Sequence, residues 1–114
     1  MTEEFLYDRA EALERLGDDE SLFASVAAMF VEDSEGYCLA LEAALASGDA
    51  AVLRREAHTV KSMLATFSFE SGREQAKQLE SLAATGSLEG AARLTADVVG
   101  AVRALAEVFR REAA

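Results

Sequence analysis

The stretch AAVLRREAHTVKSMLATF, residues 50–67, decides the fold class, because its apolar residues recur with the period of an amphipathic helix. They are separated by alternating steps of four and three, which places them on one face of an α-helix. We expect this face to be buried; it consists of Leu53, Ala57, Val60, Leu64 and Phe67. His58, the only histidine of the chain, falls opposite the stripe, so the pattern predicts an exposed imidazole.

Helical patterns also fill the rest of the chain, which contains no proline and is 51% hydrophobic. A short helix is expected over residues 7–16, ended by Gly17, and a long helical segment follows that is capped by Asp18 or Asp19. The polar run at residues 33–36 predicts a bend or a brief interruption in that segment. Gly48 should end it, and Asp49 should cap the helix that carries His58.

Two further helices are expected after the His58 helix, which should end at Thr66 or Phe67. Residues 68–71 form a tight connection to the first of them, whose inward side carries Phe69, Gly72, Ala76, Leu79 and Ala83. Ser87 is expected to cap the second, with Glu89 and Gly90 in its first turn. The apolar stripe of this last helix is Leu88, Ala91, Thr95, Val98, Val102, Leu105 and Phe109.

Four long helices with short connections must run antiparallel to their neighbours. The sequence therefore predicts an all-α fold, an up-and-down antiparallel four-helix bundle with a short extra N-terminal helix. The length of 114 residues is that of one domain, so residues 1–114 are expected to form a single unit.

The net charge of −10 argues against nucleic-acid binding, which demands a basic surface. The acidity by itself is equally consistent with a role in solubility alone. Cys38 is the only cysteine, so no intramolecular disulfide is possible. The acidic N-terminal stretch lacks the apolar run of a signal peptide, and no segment approaches the roughly 20 apolar residues of a membrane span. We therefore expect a cytoplasmic protein without membrane association.

Several kinds of active site fail for lack of partners. No nucleophile-elbow pattern accompanies His58, and no glycine-rich phosphate loop is present. A di-iron bundle would need Glu-x-x-His pairs on two helices, and this chain has one histidine. The sequence thus predicts neither a metal site nor a cofactor.

Phosphoryl transfer through histidine fits the residues around His58 better. Imidazole has a pKa of about 6.5, so its neutral form can take a phosphoryl group without a separate base. Lys61, one turn further along the helix, would offset the added negative charge. Ser62 and Ala65 are small enough to let a partner approach. Arg54 and Arg55 would favour an acidic partner surface, or would simply be a solvated face.

The segment Ala57-His58-Thr59-Val60-Lys61-Ser62 resembles the A-H-x-[LIV]-K-G core of histidine phosphotransfer (HPt) domains, which act in two-component phosphorelays. Residues 66–69, Thr-Phe-Ser-Phe, look like the T-F-G-F continuation found in chemotaxis-type kinases. Leu79-Glu80 matches the leucine–glutamate pair that is usual on the next helix. Residues 18–23 and 44–49 also read like this family, so the resemblance covers essentially the whole chain.

The resemblance implies that His58 is the phosphorylated residue, Lys61 stabilises the phosphoryl group and Ser62 lies where the partner docks. It gives Glu80 a weaker role, as a nearby hydrogen-bonding or electrostatic group. The residues expected to bind the partner are Arg54, Arg55, Ser62, Ala65 and Glu80. The implied partners are a response-regulator receiver domain, whose aspartate and Mg²⁺ would take part in the transfer, and a histidine kinase or hybrid kinase. The protein would be a monomeric carrier without an ATP site, and hence not an enzyme.

Three positions depart from the family pattern. Ser62 stands where glycine is usual, Met63 occupies a second position that is commonly small, and Ser68 replaces the glycine of the following turn. The serine at position 62 is expected to narrow the choice of partner, Met63 to pack at the flank of the core, and Ser68 to shift the helix connection slightly.

Two functions remain open from the sequence. The first is a phosphorelay intermediate that exchanges a phosphoryl group between His58 and a receiver aspartate. The second is a helical module that binds receiver domains without chemistry. The intact His58 and Lys61 favour the first. The same two residues would also be present if His58 were a surface histidine, or Lys61 a solvated lysine, without a function.

Overall fold

The computed structural model describes residues 6–114, and the chain forms five helices there, with no strand in the same range. Residues 1–5 lie outside the described residues. They include the start of the expected single domain and of the N-terminal stretch that lacks a signal-peptide pattern. The helices are α1 (Arg9–Arg15), α2 (Glu20–Ser47), α3 (Ala50–Thr66), α4 (Glu70–Ala84) and α5 (Ala91–Ala113).

Aspartates begin three of these helices. The carboxylates of Asp8, Asp19 and Asp49 each accept a hydrogen bond from the backbone N–H three residues later, at 3.0–3.1 Å. Each bond satisfies a backbone donor that the first helical turn leaves unpaired. Gly48 ends α2 with a left-handed φ of 71°, a conformation that glycine adopts without steric cost. The predicted turn between α2 and α3 is therefore confirmed, and Asp19 is the cap of α2.

Helices α2 to α5 form the predicted four-helix bundle. Helix α2 packs against α3 and α5, and α4 packs against the same two helices, so the four surround one core. The stripe predicted for α3 is buried along its whole length. On α5 the stripe is buried from Ala91 to Phe109, while Leu88 precedes the helix and is half-buried. No helix in residues 6–114 is both long and apolar enough to cross a membrane.

An aromatic cluster at one end of the bundle joins the N-terminal segment to the core. Tyr7 packs edge-on against Phe109 at 5.2 Å between ring centroids, and Phe109 packs against Phe67 at 4.9 Å. Such edge-to-face pairs add favourable quadrupole interactions to the burial of apolar area. The hydroxyl of Tyr7 also donates to the carboxylate of Glu112 at 2.8 Å. Burial, with the Glu112 carboxylate beside it, raises the pKa of Tyr7.

Helix α1 is fixed to the turn between α3 and α4 through Ser68. The N–H of Asp8 donates to the carbonyl of Ser68 at 3.1 Å, and Arg15 Nε donates to its hydroxyl, also at 3.1 Å. Ser68 is buried and has a left-handed φ of 54°. The serine thus keeps a backbone conformation that favours glycine, and its hydroxyl helps to hold α1 in place.

Two expectations were wrong: the interruption of α2 at residues 33–36 and the start of the last helix at Ser87. Helix α2 continues through residues 33–36 without interruption. Ser34 faces the core there and donates to the carbonyl of Val31 at 2.8 Å, while Glu35 forms an ion pair with Arg103 of α5 at 3.0 Å. Contacts within and between helices thus outweigh the weak helix propensity of this polar run.

Ser87 does not cap the last helix. Its hydroxyl accepts from the N–H of Glu89 in a local turn, at 3.2 Å, and α5 begins only at Ala91. Gly90 has a φ of 82°, which no residue inside an α-helix adopts, so the expected first turn at Glu89 and Gly90 cannot form.

Candidate functional site

The imidazole of His58 lies on the outer side of α3, in its middle. Its neighbours Ala57 and Val60 point into the core, and this fixes the opposite direction for His58. Its side chain is 61% exposed, so a partner protein can reach the ring. The exposure predicted from the helical period is confirmed.

Glu80 of α4 contacts both functional side chains that were predicted on α3. Its Oε2 lies 2.6 Å from His58 Nδ1, and its Oε1 accepts a hydrogen bond from Lys61 Nζ at 2.6 Å. Helices α3 and α4 pack along their lengths, and this packing brings position 80 opposite the turn from 58 to 61. One carboxylate, with its side chain 18% exposed, therefore joins a histidine and a lysine.

This contact fixes the proton on the imidazole of His58. An ionised carboxylate can only accept hydrogen bonds, so the short contact with Glu80 requires a proton on Nδ1. In the neutral ring the lone pair is then on Nε2, the nitrogen that Glu80 does not engage. The hydrogen bond from Lys61, followed by the one from His58, lowers the pKa of Glu80, so the carboxylate is ionised at neutral pH.

Two of the three positions that depart from the family pattern, Ser62 and Met63, lie within α3, which runs as a continuous helix through both. Ser62 is exposed, and its hydroxyl donates back to the carbonyl of His58 at 3.1 Å, so it adds little bulk beyond the helix backbone. Met63 is half-buried and packs against the core, as expected. Ala65 is half-buried one turn beyond Lys61.

A groove of about 840 Å³ opens beside His58 in the direction of the N-terminus of α3, away from Ser62 and Ala65. Arg54 and Arg55 line it together with His58 and Glu80, so the structure brings both predicted arginines to the histidine. Ser62 and Ala65 do not line it. The remainder of the lining is mostly small: Ala50, Ala51, Thr59, Ala83, Ala84 and Gly86.

The sequence did not reveal the α4 side of this groove. Ala83, Ala84 and Gly86 read as an ordinary helix end, because nothing local indicates which residues of α3 they face. The only available signal was Glu80, whose place in the leucine–glutamate pair puts the following residues close to His58. Within residues 6–114 no group of three or more histidine, cysteine, aspartate or glutamate side chains is arranged to hold a metal ion.

The fold and this arrangement together fit a helical phosphocarrier, a class of protein that presents one nucleophilic imidazole to its partners. Comparison with known families agrees: the Hpt domain profile matches residues 25–112. The chain therefore belongs to the Hpt domain family, as its sequence motif indicated.

A solved structure supports the same assignment. The chain is similar to the crystal structure of histidine-containing phosphotransfer protein B (HptB) from Pseudomonas aeruginosa PAO1, with 27% sequence identity and a TM-score of 0.85. The similarity covers 94% of this chain and 93% of that one. The comparison with curated proteins gave no match.

Proposed function

We propose that this protein performs its histidine phosphotransfer role through His58, which takes a phosphoryl group from the aspartate of a receiver domain and returns it to such an aspartate. Membership of the Hpt family supports the role in phosphorelays. The observation that carries the residue assignment is the exposed imidazole whose Nδ1 is held by Glu80. No observation favours a module that only binds receivers.

The geometry supports Nε2 as the attacking atom. Its lone pair attacks the phosphorus of the receiver's aspartyl phosphate, an N–P bond forms, and the P–O bond to the aspartate breaks. The electron pair of that bond returns to the aspartate as a carboxylate. The proton on Nδ1 stays where it is, so the phosphorylated ring of His58 carries a positive charge.

Glu80 and Lys61 have complementary tasks in this step. The carboxylate of Glu80 stabilises the positive charge on the ring by a charge-assisted hydrogen bond. Lys61 uses one ammonium proton on Glu80 and has two others for the oxygens of the phosphoryl group. Lys61 thus offsets the charge that arrives, and Glu80 offsets the charge that the ring acquires.

The remaining features of the proposal concern the partners. The Mg²⁺ of the reaction belongs to the receiver domain, and this chain supplies no cofactor. A histidine kinase or hybrid kinase is the upstream source of the phosphoryl group. We further propose that the whole chain acts as one monomeric unit in the cytoplasm, as a carrier that is loaded and unloaded and not as an enzyme with an ATP site.

A transfer assay with purified receiver domains tests the proposal. Each receiver is labelled with radioactive acetyl phosphate and mixed with the wild type or with His58→Gln. The wild type should take up an acid-labile, alkali-stable label from its cognate receiver, and His58→Gln should fold with the same helix content and take up none. Label on the variant, or no label on the wild type from any receiver of the organism, would contradict the proposal.

A further inference from the structure

The groove beside His58 extends away from Ser62 and Ala65, the two small residues at which the partner was expected to approach. On α3 it follows Arg55, Arg54 and Ala51 toward the start of the helix. On α4 it follows Ala83 and Ala84, one turn beyond Glu80. Both walls lead away from His58 in the same direction, so a partner that reaches the imidazole has this groove directly beside it.

Most of the side chains that line the groove are small. Ala83 is buried, while Ala51 and Ala84 are exposed, and none extends beyond a methyl group. Gly86 closes the α4 end in a left-handed turn and has no side chain. The space of about 840 Å³ is enough to admit several side chains of a protein loop.

The charge of the groove differs from that of the chain as a whole. Helix α3 carries three of the 11 basic residues and one of the 21 acidic ones. Arg54 and Arg55 are both exposed, and within the described residues neither has an ion pair, in contrast to Lys61. Two uncompensated guanidinium groups therefore stand at the wall of a groove in a protein of net charge −10.

We infer that this groove is a specificity site, in which Arg54 and Arg55 bind a carboxylate-bearing loop of the receiver domain next to its phosphorylated aspartate. The inference rests on the proposed function, because it assigns part of the same docking event. Guanidinium groups pair with carboxylates in bidentate geometry, and the small lining leaves room for the loop that carries them. A receiver with a basic residue at that place is rejected by charge repulsion.

The attraction between the two arginines and the carboxylates of the receiver should increase the rate at which the complex forms. Charge complementarity at the rim of an interface speeds association and weakens as salt screens it. Loss of either arginine should therefore raise KM for the phosphorylated receiver and leave kcat nearly unchanged. The dependence of the transfer rate on ionic strength should also become less steep.

Three charge reversals and one bulky substitution test the inference against a matched control. Arg54→Glu and Arg55→Glu are compared with Arg93→Glu, which changes an exposed arginine of α5 that also has no ion pair in the described part of the chain. Ala84→Trp fills the groove without changing the charge. The assay measures phosphoryl transfer from the receiver that transfers to the wild type most rapidly. Circular dichroism checks the fold of each variant.

We expect each reversal at Arg54 and Arg55 to lower kcat/KM about tenfold through KM, and Arg93→Glu to stay within about twofold of the wild type. Ala84→Trp should also raise KM. The inference is overturned if Arg54→Glu and Arg55→Glu transfer as fast as Arg93→Glu, or if Ala84→Trp transfers like the wild type. The proposed function fails separately, when wild-type His58 takes no label from any receiver.

Discussion

At the scale of single residues, the site depends on how one carboxylate is shared. Glu80 holds the Nδ1 proton of His58 with one oxygen and the ammonium group of Lys61 with the other. The family resemblance implied that Glu80 lies near His58 and Lys61 but gave it the weakest role of the three. The structure gives Glu80 contacts with both of the others, and we propose that it positions the imidazole.

Replacement of Glu80 by glutamine should slow phosphoryl transfer about tenfold, because a neutral amide stabilises the charged ring that forms on phosphorylation less than a carboxylate does. The loss should appear in kcat, with KM for the receiver nearly unchanged, because both carboxylate oxygens of Glu80 are engaged by His58 and Lys61. Glu74→Gln, at an exposed position of the same helix, is the control and should transfer normally. An equal effect of both substitutions, or an effect on KM alone, would argue against the positioning role.

The lowered pKa of Glu80 also predicts how its contribution to stability depends on pH. A carboxyl group whose pKa is lower in the folded state stabilises the fold above its unfolded value, about 4.3, and loses this contribution as the pH falls through the folded value. The difference in unfolding free energy between wild type and Glu80→Gln should thus be largest near neutral pH and shrink below about pH 4. Urea denaturation at several pH values measures it, and a difference that grows on acidification would contradict the assignment.

At the scale of helices, the contact between α3 and α4 sets the site, and Gly72 permits that contact. A β-carbon at position 72 would lie 3.0 Å from a methyl group of Leu64 and 3.0 Å from the ring of Phe69. Both neighbours are buried and can move little. The close approach of the two helices near this point therefore depends on the absence of a side chain.

Two glycine-to-alanine substitutions separate this packing effect from helix propensity. Gly72→Ala should destabilise the protein by about 1–2 kcal/mol, since overpacking in the core outweighs the better propensity of alanine. Gly100→Ala, at an exposed position of α5 with open space around it, should stabilise it by about 0.5–1 kcal/mol. Urea unfolding measures both, and a stabilisation of equal size at the two positions would refute the packing argument.

The helices also show which features can be predicted locally. The cap at Asp49, the end at Gly48 and the buried stripe of α3 follow from neighbouring residues in sequence, and all three are present. The expected break at residues 33–36 is absent because this part of α2 packs against the rest of the bundle: Ser34 is buried, and Glu35 pairs with Arg103, 68 positions away. Local patterns therefore give the helices, while a partner on another helix can override a weak local signal.

At the scale of the whole molecule, the bundle explains why the candidate site was only partly predictable. The exposure of His58 follows from the period of α3 alone. The pairing of Glu80 with His58 and Lys61, and the groove between α3 and α4, depend on the register of two helices, which no local pattern encodes. The wall formed by Arg54 and Arg55 could be expected, but Ala83 and Ala84 opposite them could not.

The central claim is that the folded bundle presents Nε2 of one imidazole to its partners while Glu80 holds Nδ1. Nitrogen-15 NMR of the imidazole in the phosphorylated, isotope-labelled protein tests it most directly, because the ring shifts and the coupling to phosphorus identify the modified nitrogen. We predict phosphorus on Nε2 of His58 and a retained proton on Nδ1. Phosphorus on Nδ1, or a phosphorylated protein whose His58 ring is unmodified, would contradict the account.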